Sequence, residues 1–146
     1  MIQFDLSTHI YRPLNQVFAF VVIPENDFQW QYGTLASSKL SHGEVGTGTR
    51  FRAVGHLMGR RVETVYEVVV FELNKRYGFK SVSGPLASCM LYTFEMAGGG
   101  TKISLTTERN PKDVFHPGDI KKLKKEYKDN LAMLKNVLEG HPTATL

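Results

Sequence analysis

The sequence predicts a single α+β domain spanning residues 1–146, in which a curved antiparallel sheet wraps around a long C-terminal helix. Two observations predict it. Strand-like segments separated by short turn signals run from residue 49 to residue 109, and strands joined by short turns must be antiparallel neighbours. A helical period then replaces the strand period from residue 117 onward. Apolar residues make up 42% and charged residues 22% of the chain, which is typical of a globular domain with a sizeable core.

The first third of the chain supplies a strand and two short helices. Apolar and polar residues alternate over 2–10, the period of a half-buried strand. Pro13 suits the first turn of a helix because its missing N–H needs no partner there, and apolar residues recur at helical spacing over 14–21. Pro24 begins a second short helix that ends near Trp30. An edge strand is expected at 35–40.

A five-stranded meander follows, with strands predicted at 49–56, 61–73, 76–84, 87–96 and 101–109. If Met58-Gly59 forms the first turn, Phe51 opposes Tyr66 on the inner face and Arg50 opposes Glu67 on the outer face. Extending the register through the later turns predicts further inward-facing residues: Val68, Val70, Phe79, Ser81, Ser83, Ser88, Met90, Tyr92, Phe94, Ile103, Leu105, Thr107 and Arg109. It predicts outward positions for Glu63, Lys80, Cys89, Glu95, Lys102 and Glu108. A slip of one residue would reverse the faces of a whole strand.

The last element is a helix of about six turns. One stripe of it carries Ile120, Leu123, Tyr127, Leu131, Leu134 and Leu138, spaced by three or four residues. Pro117 and Asp119 mark its start, and Gly140 and Pro142 mark its end.

Four segments carry a resemblance to a known family: "IYRP" with "VF" at 10–18, "PEN" through the tryptophan at 24–30, "VGTGTRF" at 45–51, and "YTFE" with "GGTKISLT" at 92–106. With them, the sequence resembles the START/SRPBCC superfamily over almost its whole length. The resemblance implies the helix-grip fold of the birch-pollen allergen and of polyketide cyclases, with element order β-α-α-β6-α. The superfamily includes lipid carriers, cyclases, hormone receptors and chaperone activators, so the resemblance alone does not fix the function.

The resemblance implies a cavity between the sheet and the terminal helix, bordered at its mouth by 33–48 and 110–118. The predicted inner face also carries more hydroxyl groups than a dry core, and buried hydroxyls need partners. The candidate ligand-binding residues are Trp30, Phe51, Tyr66, Phe79, Ser81, Met90, Tyr92, Phe94, Thr107, Arg109, Tyr127 and Leu131.

Three functions stay open at this stage. The first is the binding of a small hydrophobic or amphipathic molecule such as a lipid or polyketide. The second is an enzyme of the polyketide cyclase or dehydratase type, in which Tyr66 could orient or protonate a carbonyl and Arg109 could stabilise an enolate. The third is a protein-binding domain with a filled interior. On the alternative interpretation of the polar residues, the hydroxyls bond to backbone or water and Arg109 lies at an open rim.

No cofactor or metal is expected. The five histidines lack the spacing of metal ligands, and Cys89 has no histidine beside it in the predicted register. Gly43, Gly46 and Gly48 lead into a strand rather than a helix, so they indicate turns instead of a phosphate-binding loop.

Much of the net charge of +4 lies within eight residues of the terminal helix, at Lys121, Lys122, Lys124, Lys125 and Lys128. Four of these, at positions 121, 122, 125 and 128, form a lysine-rich face opposite the apolar stripe. This face is either simply solvated or makes transient contact with an anionic membrane surface. Nucleic acid is not expected, because no aromatic residues are interleaved with the lysines. The absence of a signal segment and of a membrane-length apolar run, with a single cysteine, predicts a cytoplasmic protein. The oligomeric state, including a homodimer, stays open.

Overall fold

The computed structural model describes residues 2–57, 59–84, 87–109 and 117–140. Its elements are β1 (Ile2–Ile10), α1 (Leu14–Val21), a 3₁₀ helix (Pro24–Gln29), β2 (Thr34–Lys39), β3 (Arg50–Leu57), β4 (Arg60–Glu72), β5 (Arg76–Ser83), β6 (Ser88–Ala97), β7 (Gly100–Arg109) and α2 (Pro117–Glu139). This is the predicted element order.

The strands form one antiparallel sheet in the order β1-β7-β6-β5-β4-β3-β2. Strands β2 to β7 follow each other as sequential neighbours, while β1 pairs with β7 along its whole length. The sheet curls around α2, whose residues Leu123, Tyr127, Leu131 and Leu134 are buried. The predicted α+β helix-grip fold is therefore confirmed.

The register of the first hairpin is as predicted. Phe51 opposes Tyr66, and Arg50 opposes Glu67 with 2.9 Å between Nε and Oε1. Gly59 has φ of +82°, a conformation that glycine adopts readily and that the tight turn requires. All six side chains predicted to face outward are exposed: Glu63, Lys80, Cys89, Glu95, Lys102 and Glu108.

The prediction that Val70 faces inward is wrong. An irregularity in β4 between Val68 and Val70 shifts the alternation by one residue, so Val70 opposes Gly78 on the outer face. Phe71 turns inward instead and packs edge-on against Phe18, with ring centroids 5.5 Å apart.

The pairing of β4 with β5 shows that a second prediction is wrong. It also shows one inward-facing residue that was not predicted. A second irregularity between Val65 and Tyr66 pairs Ser83 with Val65, and Ser83 is exposed rather than inward-facing. Tyr77, which the sequence analysis did not place inside, is buried and stacks on Tyr92 with centroids 6.5 Å apart.

The C-terminal end of α2 is fixed to the start of the chain by polar contacts. Arg12 donates to the Glu139 carbonyl at 2.9 Å, and the Tyr11 N–H donates to the Glu139 carboxylate at 2.9 Å. Lys135 Nζ donates to the His9 carbonyl at 2.6 Å. These contacts set how α2 crosses the sheet. Within the described ranges, neither helix combines the length and the apolar character that crossing a membrane would require.

Candidate functional site

A cavity of about 120 Å³ lies between the sheet and the N-terminal half of α2. It occupies the end of the bowl where β2 and β6 begin and the β3–β4 hairpin turns. Its walls come from the 3₁₀ helix, strands β2 to β6 and α2. The cavity is therefore bordered by the sheet and α2, the two layers that the sequence predicts to form the site.

Three aromatic rings on adjacent strands form the floor of the cavity. Phe51 stacks on Tyr66 at 5.3 Å, and Phe79 packs edge-on against both, at 5.2 Å from Phe51 and 5.1 Å from Tyr66. The contacts arise because Phe51 and Tyr66 are directly opposed and Phe79 follows on the next strand. Tyr127 and Leu123 of α2 face this floor, and Met90 of β6 completes the apolar wall.

Asp27 brings a carboxyl group into this largely apolar cavity. It lies on the 3₁₀ helix, is only 8% exposed and lines the cavity. Burial raises the pKa of Asp27 well above its usual value, because removal from water disfavours the charged form. The neighbouring Ser37 hydroxyl lowers this pKa in part, and the charge of Glu25 raises it further. Asp27 thus keeps its proton at pH values where an exposed aspartate has lost it.

The pKa values of two tyrosines near Asp27 are also raised. Burial raises the pKa of Tyr92 well above its usual value, and the neighbouring Asp27 carboxyl adds to the effect. Burial and Asp27 likewise raise the pKa of Tyr77. Both phenols therefore stay protonated and can act only as neutral hydrogen-bonding groups.

Further polar groups line the cavity from the 3₁₀ helix region, β3 and α2. They include Gln31, His56, Glu126 and Asn130. Gln31 Oε1 accepts a hydrogen bond from the Thr34 hydroxyl at 3.1 Å, and Asn130 Oδ1 accepts one from the Tyr32 N–H at 2.9 Å. These contacts connect the start of β2 to α2 beside the cavity. Among the residues that the structure describes, no three His, Cys, Asp or Glu side chains are grouped to hold a metal ion.

Two glycines allow the chain to cross closely at this edge of the cavity. The His56 N–H donates to the Gly33 carbonyl at 2.6 Å. A Cβ atom at Gly55 would lie 2.0 Å from that carbonyl oxygen, and one at Gly33 would lie 2.4 Å from the His56 oxygen. Both glycines line the cavity, so the absence of their side chains shapes its wall.

The structure divides the predicted site residues into two groups. Phe51, Tyr66, Phe79, Met90 and Tyr127 line the cavity. The others with described side chains lie elsewhere in the interior: Trp30, Ser81, Tyr92, Phe94, Thr107 and Leu131.

The two catalytic candidates are placed differently. Tyr66 lies in the cavity floor. The backbone of Arg109 pairs with Ser88, a cavity residue, but its side chain lies outside the described part of the chain. Most of the predicted mouth segment 110–118 also lies outside it.

Sequence reasoning did not identify Asp27, although a signal for it exists. Pro24, Asp27 and Trp30 are spaced by three residues and all three are buried. A 3₁₀ helix has three residues per turn, so this spacing places them on one face. If the segment is taken as a 3₁₀ helix rather than an α-helix, the inward position of Trp30 implies that Asp27 also faces inward.

An exposed surface of mixed character lies beside the cavity. We call it the mouth surface; it comprises Tyr32, Lys122 and Lys125. Tyr32 is 62% exposed. Tyr32 and Lys122 border one shallow depression together with His56 and Glu126, which also line the cavity. A hydrogen bond to Asp129 raises the pKa of Lys125, and the nearby Tyr32 contributes.

Comparison with known proteins gives a family and a set of shared folds. The family described as "Polyketide cyclase / dehydrase and lipid transport" matches residues 1–139. The structure of TTHA0849 from Thermus thermophilus superposes with a TM-score of 0.77 at 19% identity, covering 97% of this chain and 100% of that one. The structure of Ara h 8.0201 superposes with a TM-score of 0.73 at 15% identity, covering 96% of this chain and 99% of that one. A START superfamily protein from Mycobacterium smegmatis gives 0.73 at 16% identity, covering 94% of each chain.

At these identities the structural similarity shows the fold alone. No curated protein matches the sequence.

Proposed function

Because this chain belongs to the family of polyketide cyclases, dehydrases and lipid-transport proteins, we propose that it binds a small hydrophobic or amphipathic molecule between the sheet and α2. The observation that supports this most is the cavity of about 120 Å³ with an aromatic floor and polar groups along one side. Ligand sites are commonly apolar hollows with a few placed polar groups, and this cavity has that composition.

The driving force for binding would be removal of apolar ligand surface from water. Each Å² buried contributes roughly 25 cal/mol before ordering costs are subtracted. An engineered cavity of about 150 Å³ holds benzene, so a volume of about 120 Å³ suits one small ring or the end of a longer molecule. A larger ligand therefore requires Met90 and the α2 side chains to move outward.

A cavity-filling substitution tests this proposal. Ala53 lines the cavity, and Ala53→Leu should occupy part of the space that the ligand needs. Native mass spectrometry of protein purified from its own source should show a bound small molecule in the wild type and none in Ala53→Leu. Ala36→Leu on the exposed side of edge strand β2 is the matched control and should retain the ligand. Retention of the same mass by Ala53→Leu would contradict the proposed location.

The same cavity could instead host a reaction of the cyclase or dehydratase type, and one observation favours this second candidate. Burial raises the pKa of the Asp27 carboxyl and so favours its protonated form, which is the form that a general acid needs. Tyr66 lies in the same cavity and can orient a carbonyl. Asp27→Asn, Tyr66→Phe and Arg109→Ala should each reduce turnover of the molecule recovered from the protein. Turnover at the wild-type rate in all three variants would rule this candidate out.

We further propose that the mouth surface makes transient contact with an anionic membrane. Aromatic rings favour the membrane interface, and lysines are attracted to anionic lipid headgroups. The mouth surface combines both, and it adjoins residues that line the cavity. A ligand leaving a bilayer could then enter the cavity without crossing much water.

Vesicle binding tests this contact. Wild-type protein should sediment with phosphatidylserine-containing vesicles at low salt, and less at high salt. Lys122→Glu and Tyr32→Ser should both reduce sedimentation, whereas Lys102→Glu on the outer face of the sheet, paired with Glu95, should not. Equal sedimentation of Lys122→Glu and Lys102→Glu, or binding to polyglutamate but not to vesicles, would contradict the proposal.

A further inference from the structure

The polar groups along one side of the cavity offer hydrogen-bond donors, and the clearest case is Asn130. This residue lies on α2 and lines the cavity. Its Oδ1 accepts a hydrogen bond from the Tyr32 N–H at 2.9 Å. Because a backbone N–H can only donate, this contact fixes which branch of the amide carries the oxygen. The Nδ2 group therefore occupies the other branch, and within the described ranges it donates to no protein group.

Asp27 supplies a second donor from a different element. It lies on the 3₁₀ helix, is buried and lines the same cavity. Burial raises the pKa of its carboxyl group and so favours the protonated form, whose O–H can donate a hydrogen bond. Two separate parts of the fold, the 3₁₀ helix and α2, thus place donors along one side of the cavity.

A third donor lies beside these two in the interior. Trp30 follows Asp27 by three residues and is 2% exposed, and its Nε1–H has no acceptor among the described residues. An indole N–H can only donate, and a buried donor without a partner is unfavourable. Trp30 does not itself line the cavity, but Asp27 and Gln31 do. This side of the bowl therefore has a donor for which the described protein supplies no acceptor.

The side-chain oxygens on the same side of the cavity already have partners. Asn130 Oδ1 is bound to the Tyr32 N–H, and Gln31 Oε1 accepts a hydrogen bond from the Thr34 hydroxyl at 3.1 Å. Glu126 also lines the cavity, and it already interacts with another group of the protein. A bound molecule is therefore better able to accept a hydrogen bond here than to donate one.

We infer that the polar end of the ligand is a neutral carbonyl oxygen, which accepts hydrogen bonds from Asn130 and Asp27. The inference rests on the proposed function, since it names the chemical class of the molecule bound in that cavity. A carbonyl oxygen has two lone pairs and can accept from both groups at once. It also brings no net charge into the bowl, where an unpaired ion would be strongly disfavoured.

Three cyclopentane derivatives of equal size test the inference. Cyclopentanone carries an acceptor and no donor, methylenecyclopentane has the same shape without polar atoms, and cyclopentylamine is a cation at neutral pH that can only donate. In a cavity without donors, methylenecyclopentane would bind roughly tenfold more tightly than cyclopentanone, because a carbonyl without a partner is costly to bury. Titration followed by amide chemical shifts should instead show cyclopentanone binding at least as tightly as methylenecyclopentane, and cyclopentylamine binding most weakly.

Variants connect this preference to the donors. Asn130→Asp keeps the oxygen that accepts from the Tyr32 N–H and removes the NH₂ donor. It should lower the ratio of cyclopentanone affinity to methylenecyclopentane affinity roughly three- to tenfold. Asn136→Asp makes the same change on α2 at a position that does not line the cavity, so its ratio should equal that of the wild type. Asp27→Asn exchanges one neutral donor for another, so its ratio should stay within about twofold. Circular dichroism checks that each variant is folded.

The outcomes separate this inference from the proposed function. If methylenecyclopentane binds the wild type roughly tenfold more tightly than cyclopentanone, or if cyclopentylamine binds most tightly, the inference is overturned and the binding function stands. An unchanged ratio in Asn130→Asp, or an equal fall in Asn136→Asp, would also overturn it, because Asn130 would then not be the donor. Binding of none of the three probes would contradict the proposed function and the inference together.

Discussion

The two ends of the bowl formed by the sheet are filled in different ways. At one end, α1 packs Phe18 onto the sheet, where its ring meets Phe71 edge-on at 5.5 Å and Phe94 at 5.0 Å. At the other end, α2 faces the sheet across the cavity, and the floor is formed by Phe51, Tyr66 and Phe79. The same sheet thus carries a packed core at one end and a cavity at the other.

This difference shows what the short helices contribute. A sheet curved enough to surround a helix leaves more space than one row of helix side chains fills. α1 fills that space at its own end. At the cavity end, the 3₁₀ helix brings the carboxyl group of Asp27 instead of another large apolar side chain. The cavity therefore begins where α1 no longer covers the sheet.

Truncation of a large side chain at each end should give the largest contrast in stability. Phe18 is 2% exposed and lies in the packed end, so Phe18→Ala should lower the free energy of unfolding by about 3–5 kcal/mol. Met90 is half-buried and already borders the cavity, so Met90→Ala should cost about 2 kcal/mol. Urea denaturation measures both. Equal losses would contradict the distinction between a packed end and a cavity end.

A clash at the cavity edge should have the next largest effect. Gly55→Ala would place a Cβ 2.0 Å from the Gly33 carbonyl oxygen and should lower the free energy of unfolding by about 2–3 kcal/mol. Gly46→Ala is the control, because nothing lies within 4 Å of its Cβ position, and it should change stability by less than about 0.5 kcal/mol. If Gly55→Ala were as stable as Gly46→Ala, the close crossing of β2 and β3 would be wrong.

The titration of Asp27 should make the free energy of unfolding depend on pH. Its pKa is raised in the folded state, so between its usual value and the raised value the folded protein holds a proton that the unfolded chain has lost. Stability from this group is therefore fully present below the usual aspartate pKa and is lost as the pH rises through the raised pKa.

Asp27→Asn removes this titration while nearly preserving shape. The variant should gain stability relative to the wild type on going from acidic to neutral pH, as measured by urea midpoints at several pH values. The nearby titratable groups, Glu25, Tyr77, Tyr92, His56 and Glu126, are unchanged and contribute to both curves. Parallel curves for the two proteins would show that Asp27 is not buried in its neutral form.

Two of the ion pairs that the structure describes within α2 should give the smallest contrast. Lys135 is paired with Glu139, whose side chain is 8% exposed, and also donates to the His9 carbonyl, so Lys135→Met should cost about 1–2 kcal/mol. Lys125 pairs with Asp129 on the exposed surface, so Lys125→Met should cost much less than Lys135→Met. Urea denaturation at low salt compares them. A larger loss for Lys125→Met would contradict the role of the Lys135 contacts in fixing the C-terminal end of α2 to the start of the chain.

Much of the fold could be predicted because short turns fix the register. Opposition of Phe51 to Tyr66 and of Arg50 to Glu67 follows once the first turn is placed. Prediction failed within β4, where the run from Val68 to Phe71 is entirely apolar. Periodicity cannot show which residue of such a run is the extra one, so packing of Phe71 against Phe18 decides the faces.

The site could be predicted only in part. The inward-facing positions on β3 to β6 and α2 yielded Phe51, Tyr66, Phe79, Met90 and Tyr127 as cavity residues. Asp27 was not foreseen, because its orientation depends on the 3₁₀ period of a six-residue segment. The location of the cavity depends on the distance between α2 and the sheet beyond the end of α1, a quantity that no local sequence pattern encodes.

The measurement that most directly tests the cavity is xenon binding followed by methyl chemical shifts in solution, since xenon enters apolar cavities without requiring any polar contact. We expect saturable shifts at Val62, Met90 and Leu123, which line the cavity, and none at Val17 and Ile103 in the packed end, where Ile103 lies opposite Phe94. Equal shifts at both ends, or no shift at Met90 and Leu123, would contradict the existence of a ligand-sized space at the β3–β4 end of the bowl.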